Sequence, residues 1–289
     1  MIVGMYGKKI SDNYKGECFM KILILGSTGM LGNAVAKYFL SNENYEVITT
    51  YRNEEYKFEG NSIYFDALTS NFSVLPDDVD YVINCIGIIK PFMAKSIENA
   101  IMINSLFPHR LAKWCEGNGI KLIHITTDCV FSGMKGKYTE NDLHDALDEY
   151  GKSKSLGECV NNAMVIRTSI IGEEIHNNAS LIEWAKSQKG KTVNGFVNHL
   201  WNGVTTKQYA VICDKIISQG LYEKGLFHAY AADDVTKYEM MQYFNKKFDL
   251  NLTINEFEAS QPCDRTLRSD KELCKKLEIP TVSRMIEEM

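Results

Sequence analysis

Lys21-Ile22-Leu23-Ile24-Leu25-Gly26-Ser27-Thr28-Gly29-Met30-Leu31-Gly32 decides how this chain folds. Ile22 to Leu25 are apolar at successive positions, as in a parallel strand covered on both faces. Past the glycines, Asn33-Ala34-Val35-Ala36-Lys37-Tyr38-Phe39-Leu40 places its apolar residues at helical spacing. Strand, tight turn and helix therefore follow one another directly. Such a turn converges backbone N–H groups and the positive end of a helix on one point, which suits a diphosphate. Gly26 is expected to permit the turn, Gly29 to let phosphates approach, and Gly32 to let the helix lie on the strand.

Working outward, strands are expected at 45–52, 62–65, 80–87, 121–128 and 163–167. Helical spacing separates them, at 96–116 with a bend at Pro108 and from Asp148 onward. This alternation predicts an α/β fold of Rossmann type, a doubly wound parallel sheet. Beyond Gly172 it fades into helices at 181–188, 205–218 and 235–248, with a loop through Asn194-Gly195-Phe196. The predicted organisation is a poorly ordered extension at 1–19, a dinucleotide-binding domain at 20–172, and a smaller cap at 173–289 from which segments can return to the sheet.

Composition narrows the function classes. The chain has 289 residues, 45% hydrophobic and 24% charged, which is an ordinary globular balance with room for a sizeable core. A dispersed net charge of −5 gives no basic footprint for nucleic acid and no polybasic patch for a membrane. No apolar run reaches the roughly 18 residues of a membrane span, and no signal-peptide core opens the chain, so a cytoplasmic protein is expected. The eight cysteines are scattered without a CxxC pair, which predicts reduced thiols and no metal site.

The chemistry gathers around Tyr150 and Lys154. Four residues apart on a helix, they share one face. Beside a dinucleotide, a phenol can give a proton to a carbonyl oxygen as hydride arrives, while the ammonium holds the ribose and favours the tyrosinate. Bringing a phenol from a pKa of about 10 to neutrality asks for about 4 kcal/mol of differential stabilisation of the tyrosinate. Thr127, at the carboxyl end of the 121–128 strand, is placed to add a hydrogen bond. At the end of the second strand, Thr50-Tyr51-Arg52 offers a cation where NAD-preferring sites carry a carboxylate, so a 2′-phosphate is favoured and NADPH is the expected cofactor, with NADH allowed.

The stretches Leu122-Ile123-His124-Ile125-Thr126-Thr127-Asp128-Cys129-Val130-Phe131-Ser132-Gly133, Tyr138-Thr139-Glu140 and Tyr150-Gly151-Lys152-Ser153-Lys154 carry a family resemblance. The chain resembles the extended short-chain dehydrogenase/reductases, and within them the dTDP-4-dehydrorhamnose reductase group of nucleotide-sugar reductases, from about Met20 to the C-terminus. The resemblance implies catalytic roles for Thr127, Tyr150, Lys154 and Asn104. It implies cofactor contacts from the turn residues Gly26, Ser27, Thr28, Gly29, Met30, Leu31 and Gly32, from Asp66 and Ala67, and from Cys85, Ile86 and Gly87. It also implies that Arg167-Thr168-Ser169 lies beside the nicotinamide.

The sequence departs from the family at Cys129, where a tyrosine is usual, and at Asn198-His199-Leu200-Trp201-Asn202-Gly203-Val204-Thr205-Thr206, which replaces a proline-threonine pattern. Cys129, Trp201 and Arg265 are the expected substrate contacts. The activity implied is reduction of a 4-keto-6-deoxy nucleotide sugar for surface polysaccharide or nucleotide-sugar synthesis, with a small-molecule partner and a homodimer allowed. Two other readings use the same residues: a nucleotide-sugar epimerase, or a non-catalytic NADP-binding regulatory subunit.

Overall fold

The computed structural model describes residues 19–176 and 180–289, so the expected extension at 1–19 lies outside them except for Phe19. Seven strands, β1 (Met20–Leu25), β2 (Tyr45–Tyr51), β3 (Ser62–Tyr64), β4 (Tyr81–Asn84), β5 (Lys121–Thr127), β6 (Met164–Thr168) and β7 (Gly225–His228), form one sheet in the order β7-β6-β5-β4-β1-β2-β3. Every neighbouring pair is parallel. The order reverses between β1 and β4, where Leu25 lies opposite Asn84. That reversal opens a crevice at the carboxyl ends of the strands, the usual ligand position in such sheets.

The apolar run in β1 is buried on both faces, as its composition requires. Ile22 and Ile24 join Val35 and Phe39 in one core, while Leu23 and Leu25 join Leu111 and Cys115 in the other. Helix α1 (Met30–Leu40) covers the first face, and α2, residues 97–117, covers the second.

The bend expected at Pro108 takes a specific form. Helix α2 is α-helical over Ile97–Ile101 and Phe107–Gly117, with a π turn over Met102–Leu106 between them. Proline has no N–H to give, and its ring would strike the carbonyl four residues back, that of Asn104, so the backbone widens there. Helix α3 (Glu149–Leu156) begins at Asp148, whose carboxylate accepts the Gly151 N–H at 2.8 Å.

One expectation is corrected. Asn194-Gly195-Phe196 is not a loop but part of the strand Thr192–Phe196, parallel to Thr253–Phe257. Gly195 marks close approach instead of a turn: a Cβ there would lie 2.7 Å from the Cα of Tyr238. Tyr238 belongs to α5 (Lys237–Phe248), which opens with a capping box between Thr236 and Glu239.

Two segments of the C-terminal half return to the sheet. Strand β7 pairs with β6, and α4 (Thr206–Ser218) lies against α1, where the Tyr38 hydroxyl donates to Asp214 at 2.8 Å and Tyr45 bonds the same carboxylate. A small sheet of Val235–Thr236, His199–Trp201 and Cys263–Asp264 stands apart from the large one.

Candidate active site

The glycine turn at the crevice is shaped by close contacts. Gly26 has φ +77°, and a Cβ on it would meet Ile86 Cγ1 at 2.9 Å. A Cβ on Gly32 would sit 2.1 Å from the Gly26 carbonyl oxygen, so only glycine lets α1 close onto the turn. A Cβ on Gly29 would make only an ordinary 3.5 Å contact with the Gly26 carbonyl oxygen, and Gly29 caps α1 without any side-chain bond, with no acid in the first turn. The N–H groups of that turn are thus left for an anion, which is what a dinucleotide diphosphate supplies.

Ser27 does not face this opening. Its hydroxyl is buried and bonds the Thr50 backbone, accepting the Thr50 N–H at 3.0 Å, while the Thr50 hydroxyl accepts the Gly26 N–H at 2.9 Å. The side chain of Ser27, one of the turn residues expected at the cofactor, ties the turn to β2. Gly32 likewise lies beneath the turn.

A cleft of about 670 Å³ runs from this turn across the sheet edge. Thr28, Gly29, Met30 and Leu31 line it at the turn, and Arg52, Asp66 and Ala67 at the β2–β3 end. Arg52 is exposed, and among the described residues no carboxylate pairs with it. Asp66 accepts the Leu68 N–H at 2.9 Å, shaping the turn that carries Ala67. His176, which sequence reasoning missed, also borders the cleft and stacks on Tyr56 with centroids 4.6 Å apart, joining the segment after β2 to the one after β6.

Cys85, Ile86 and Gly87 form the middle of the wall. A buried polar layer behind them was also missed. Asn84 bonds His124 at 3.0 Å and accepts the Ile86 N–H at 3.1 Å, and burial, with the Lys154 charge, holds the imidazole well below its usual pKa. The available signal was polar residues recurring within apolar strands, Asn84 and His124 among them.

Thr127, Tyr150 and Lys154 meet at the far wall. Strand β5 delivers the threonine and α3 the other two. Gly151 allows this, because a Cβ there would lie 2.3 Å from the Cys129 carbonyl oxygen. The Lys154 ammonium is buried, donates to the Ile125 carbonyl at 3.0 Å, and is brought down to about 8 by burial, against the pull of Glu158. Burial pushes the Tyr150 phenol above its ordinary value, helped by Cys129 and Asp128 and opposed by the Thr127 hydroxyl. Sequence reasoning looked for a phenol drawn towards neutrality. In this cleft burial outweighs the nearby hydroxyl, so the phenol is held above its ordinary value and is not drawn towards neutrality.

Asn104, expected among the catalytic groups, is off the cleft wall. Its amide donates to the Ile88 carbonyl at 2.9 Å and to Ser153 Oγ at 3.1 Å, and accepts the Ile88 N–H at 2.8 Å. It braces the loop after Gly87 against α3, a positioning role. Thr168 and Ser169 line the cleft, but Arg167 is fully buried behind it, bonded to Glu158 at 3.0 and 2.7 Å, to His228 at 2.9 Å and to His144 at 2.6 Å.

At the end of the cleft away from the glycine turn, Cys129 lines the wall, its thiol raised to about 12 by burial. Trp201 and Arg265 stand off the wall. The indole N–H donates to Ser169 Oγ at 2.8 Å, and Arg265 donates to the carbonyls of Phe131 at 2.9 Å and Ser132 at 3.3 Å.

A doubly wound sheet with a glycine turn at its reversal, and threonine, tyrosine and lysine converging on the same crevice, defines a fold of the extended short-chain dehydrogenase/reductase type. The chain belongs to the RmlD substrate binding domain family, whose model matches residues 20–283. It is similar to methionine adenosyltransferase 2 subunit beta of Bos taurus, 29% identical over 245 residues that cover 80% of this chain and 72% of the relative. It is also similar to the "Probable low-salt glycan biosynthesis reductase" of Haloferax volcanii, 27% identical and covering 88% of this chain and 89% of that one. Among solved structures, the dTDP-4-dehydrorhamnose reductase of Bacillus anthracis in complex with NADP superposes with a TM-score of 0.76 at 18% identity, over 93% of this chain and 98% of that one.

Proposed function

We propose that this chain is an NAD(P)H-dependent reductase of a nucleotide-sugar ketone, with a 4-keto-6-deoxy sugar as the substrate class. The observation that carries this reading is the convergence of Thr127, protonated Tyr150 and buried Lys154 on a cleft that begins at an uncapped helix N-terminus. A bound nicotinamide dinucleotide supplies the hydride. The chain's own part is to seat the diphosphate on the N–H groups of Met30 and Leu31, the Gly29 N–H being held by the Gly26 carbonyl at 3.0 Å, hold the ribose with Lys154, and give the Tyr150 proton to the alkoxide oxygen that Thr127 steadies. Arg52 would receive a 2′-phosphate, which favours NADPH. Incubation with NADPH and a panel of dTDP-, UDP-, GDP- and CDP-linked 4-keto sugars, followed by absorbance loss at the nicotinamide band and product mass, tests the proposal. Turnover with none of them counts against it.

The likeness to methionine adenosyltransferase 2 subunit beta favours a second reading, a regulatory subunit that binds the dinucleotide without turning it over. The same assay separates the two, because that reading requires stoichiometric NADPH binding and no consumption with any sugar.

A further inference from the structure

Lys237 sits in a place that costs the fold energy and gives it no bonded counter-charge. It is the first residue of the twelve-residue helix α5, where the helix dipole opposes a cation. It is only partly exposed, with its ammonium 5.3 Å from the Trp201 ring centroid and 3.5 Å from the Met240 sulfur, and no carboxylate among the described residues lies within ion-pair distance. Burial lowers its pKa to about 8, against the supporting charge of Asp128 and of the Cys129 and Cys263 thiols, with Arg265 adding to the fall. Asp128 is itself buried, and its carboxylate already accepts the Thr127 hydroxyl at 3.2 Å.

The surroundings tie this ammonium to the cleft. Trp201 is fixed by its bond to Ser169, a cleft residue, and Asp128 and Cys129 are cleft residues too. Arg265 acts on the same group of residues, with Nε and one terminal nitrogen held by the carbonyls of Phe131 and Ser132. It is pressed close to the loop after β5, since a Cβ on Gly133 would lie 3.2 Å from Arg265 Cγ. Both cations thus bear electrostatically on Asp128 and Cys129, which line the cleft at the end away from the glycine turn. What both lack among the described residues is a carboxylate within ion-pair distance, and a shielded cation in that position is a candidate to receive the anion of a ligand.

We propose that Lys237, with Arg265, holds an oxyanion of the substrate at the Cys129 end of the cleft, and that Lys237 determines which substrates are accepted. The inference rests on the proposed reductase reading and names the residue that recognises its substrate. The shared chemistry is a phosphate or carboxylate oxygen, which comes either from the diphosphate of a nucleotide sugar or from an acidic sugar ring.

The test is titration of the full chain, wild type, Lys237→Met and Lys237→Arg, with UDP, dTDP, UDP-glucose and UDP-glucuronate, read by quenching of tryptophan fluorescence and by calorimetry, with NADPH titrated alongside. Lys237→Met is expected to weaken anion binding by about 10-fold or more, the size of a lost charge-assisted hydrogen bond. NADPH affinity should stay within about 2-fold, and Lys237→Arg should keep most of the substrate affinity. An equal loss for all four ligands identifies the diphosphate as the anion, whereas a loss confined to UDP-glucuronate identifies the sugar carboxylate. Unchanged binding of every ligand by Lys237→Met overturns the inference and leaves the reductase reading standing. A wild type that binds NADPH but none of the four overturns both. Thermal unfolding gives a second readout: relieved of an uncompensated cation, Lys237→Met should melt no lower than the wild type, and a large drop would mark Lys237 as structural and overturn the inference.

Discussion

Gly157 lies so close to Asn104 that a Cβ on the glycine would stand 1.9 Å from the asparagine carbonyl oxygen. The contact joins the end of α3 to the π turn of α2, and Asn104's amide bonds Ser153 from the same side. Gly157→Ala forces these elements apart. The expected outcome is a loss of about 1–3 kcal/mol of stability, typical of overpacking, together with reduced turnover because Tyr150 and Lys154 ride on the displaced helix. Denaturant unfolding and steady-state kinetics check this, and a variant with wild-type values in both would show that the contact relaxes freely.

On the proposed reading Tyr150→Phe removes the proton donor and leaves the phosphate seat untouched. Turnover should fall by about 10²–10⁴-fold while NADPH still binds. Lys154→Met should impair both, since its ammonium serves ribose and phenol. If Tyr150→Phe keeps its kcat, the proton comes from elsewhere.

On the proposed reading cofactor choice rests on Arg52, exposed at the β2 end of the cleft and without a carboxylate partner among the described residues. A charge-assisted bond to a 2′-phosphate gives about 10- to 150-fold preference for NADPH. Arg52→Ala should bring kcat/KM for NADPH and NADH close together. An undiminished preference in that variant would assign discrimination to another residue.

Arg167 predicts stability instead of rate. Replacing it with methionine strands Glu158 without its partner and should cost about 3–5 kcal/mol, read as a fall in the unfolding midpoint. The same network sets an acid limit. Burial, and then the Arg167 charge, lowers His228 to about 4; burial also lowers His144; and Glu140, though burial opposes it, is held below its usual value by His228 and Ser269. The unfolded histidines take up protons near 6.5, before the folded ones, so stability falls as pH drops from about 6.5 towards 4. Glu140 adds a loss below its unfolded value, in the same direction. Unfolding midpoints between pH 7 and 4 should decline, and less so in His228→Asn; a flat profile for the wild type would refute the account.

The parts of the site legible in the sequence were those where backbone geometry dictates residue type. Gly26, Gly29 and Gly32 announce the turn, and Tyr150 and Lys154 announce a helix face. Side chains whose partners are distant were not legible. Nothing local distinguishes Ser27 bonded to Thr50 from Ser27 facing a phosphate, or Asn104 bracing Ile88 from Asn104 touching substrate. Gly195 misled because a glycine that admits a neighbouring helix looks the same in sequence as one that turns a loop. Lys237 was invisible because a lysine at a helix start ordinarily points to water.

Strand β7 and helix α4 are encoded after the first six strands of the sheet. As the chain leaves the ribosome, β6 therefore emerges with an unpaired edge, α1 with an uncovered face, and Arg167 without His228. The sheet cannot be finished by its first six strands. A fragment cut near Gly172 would carry the glycine turn and the Tyr150 helix yet lack β7 and α4, and so would leave the β6 edge unpaired and the α1 face uncovered.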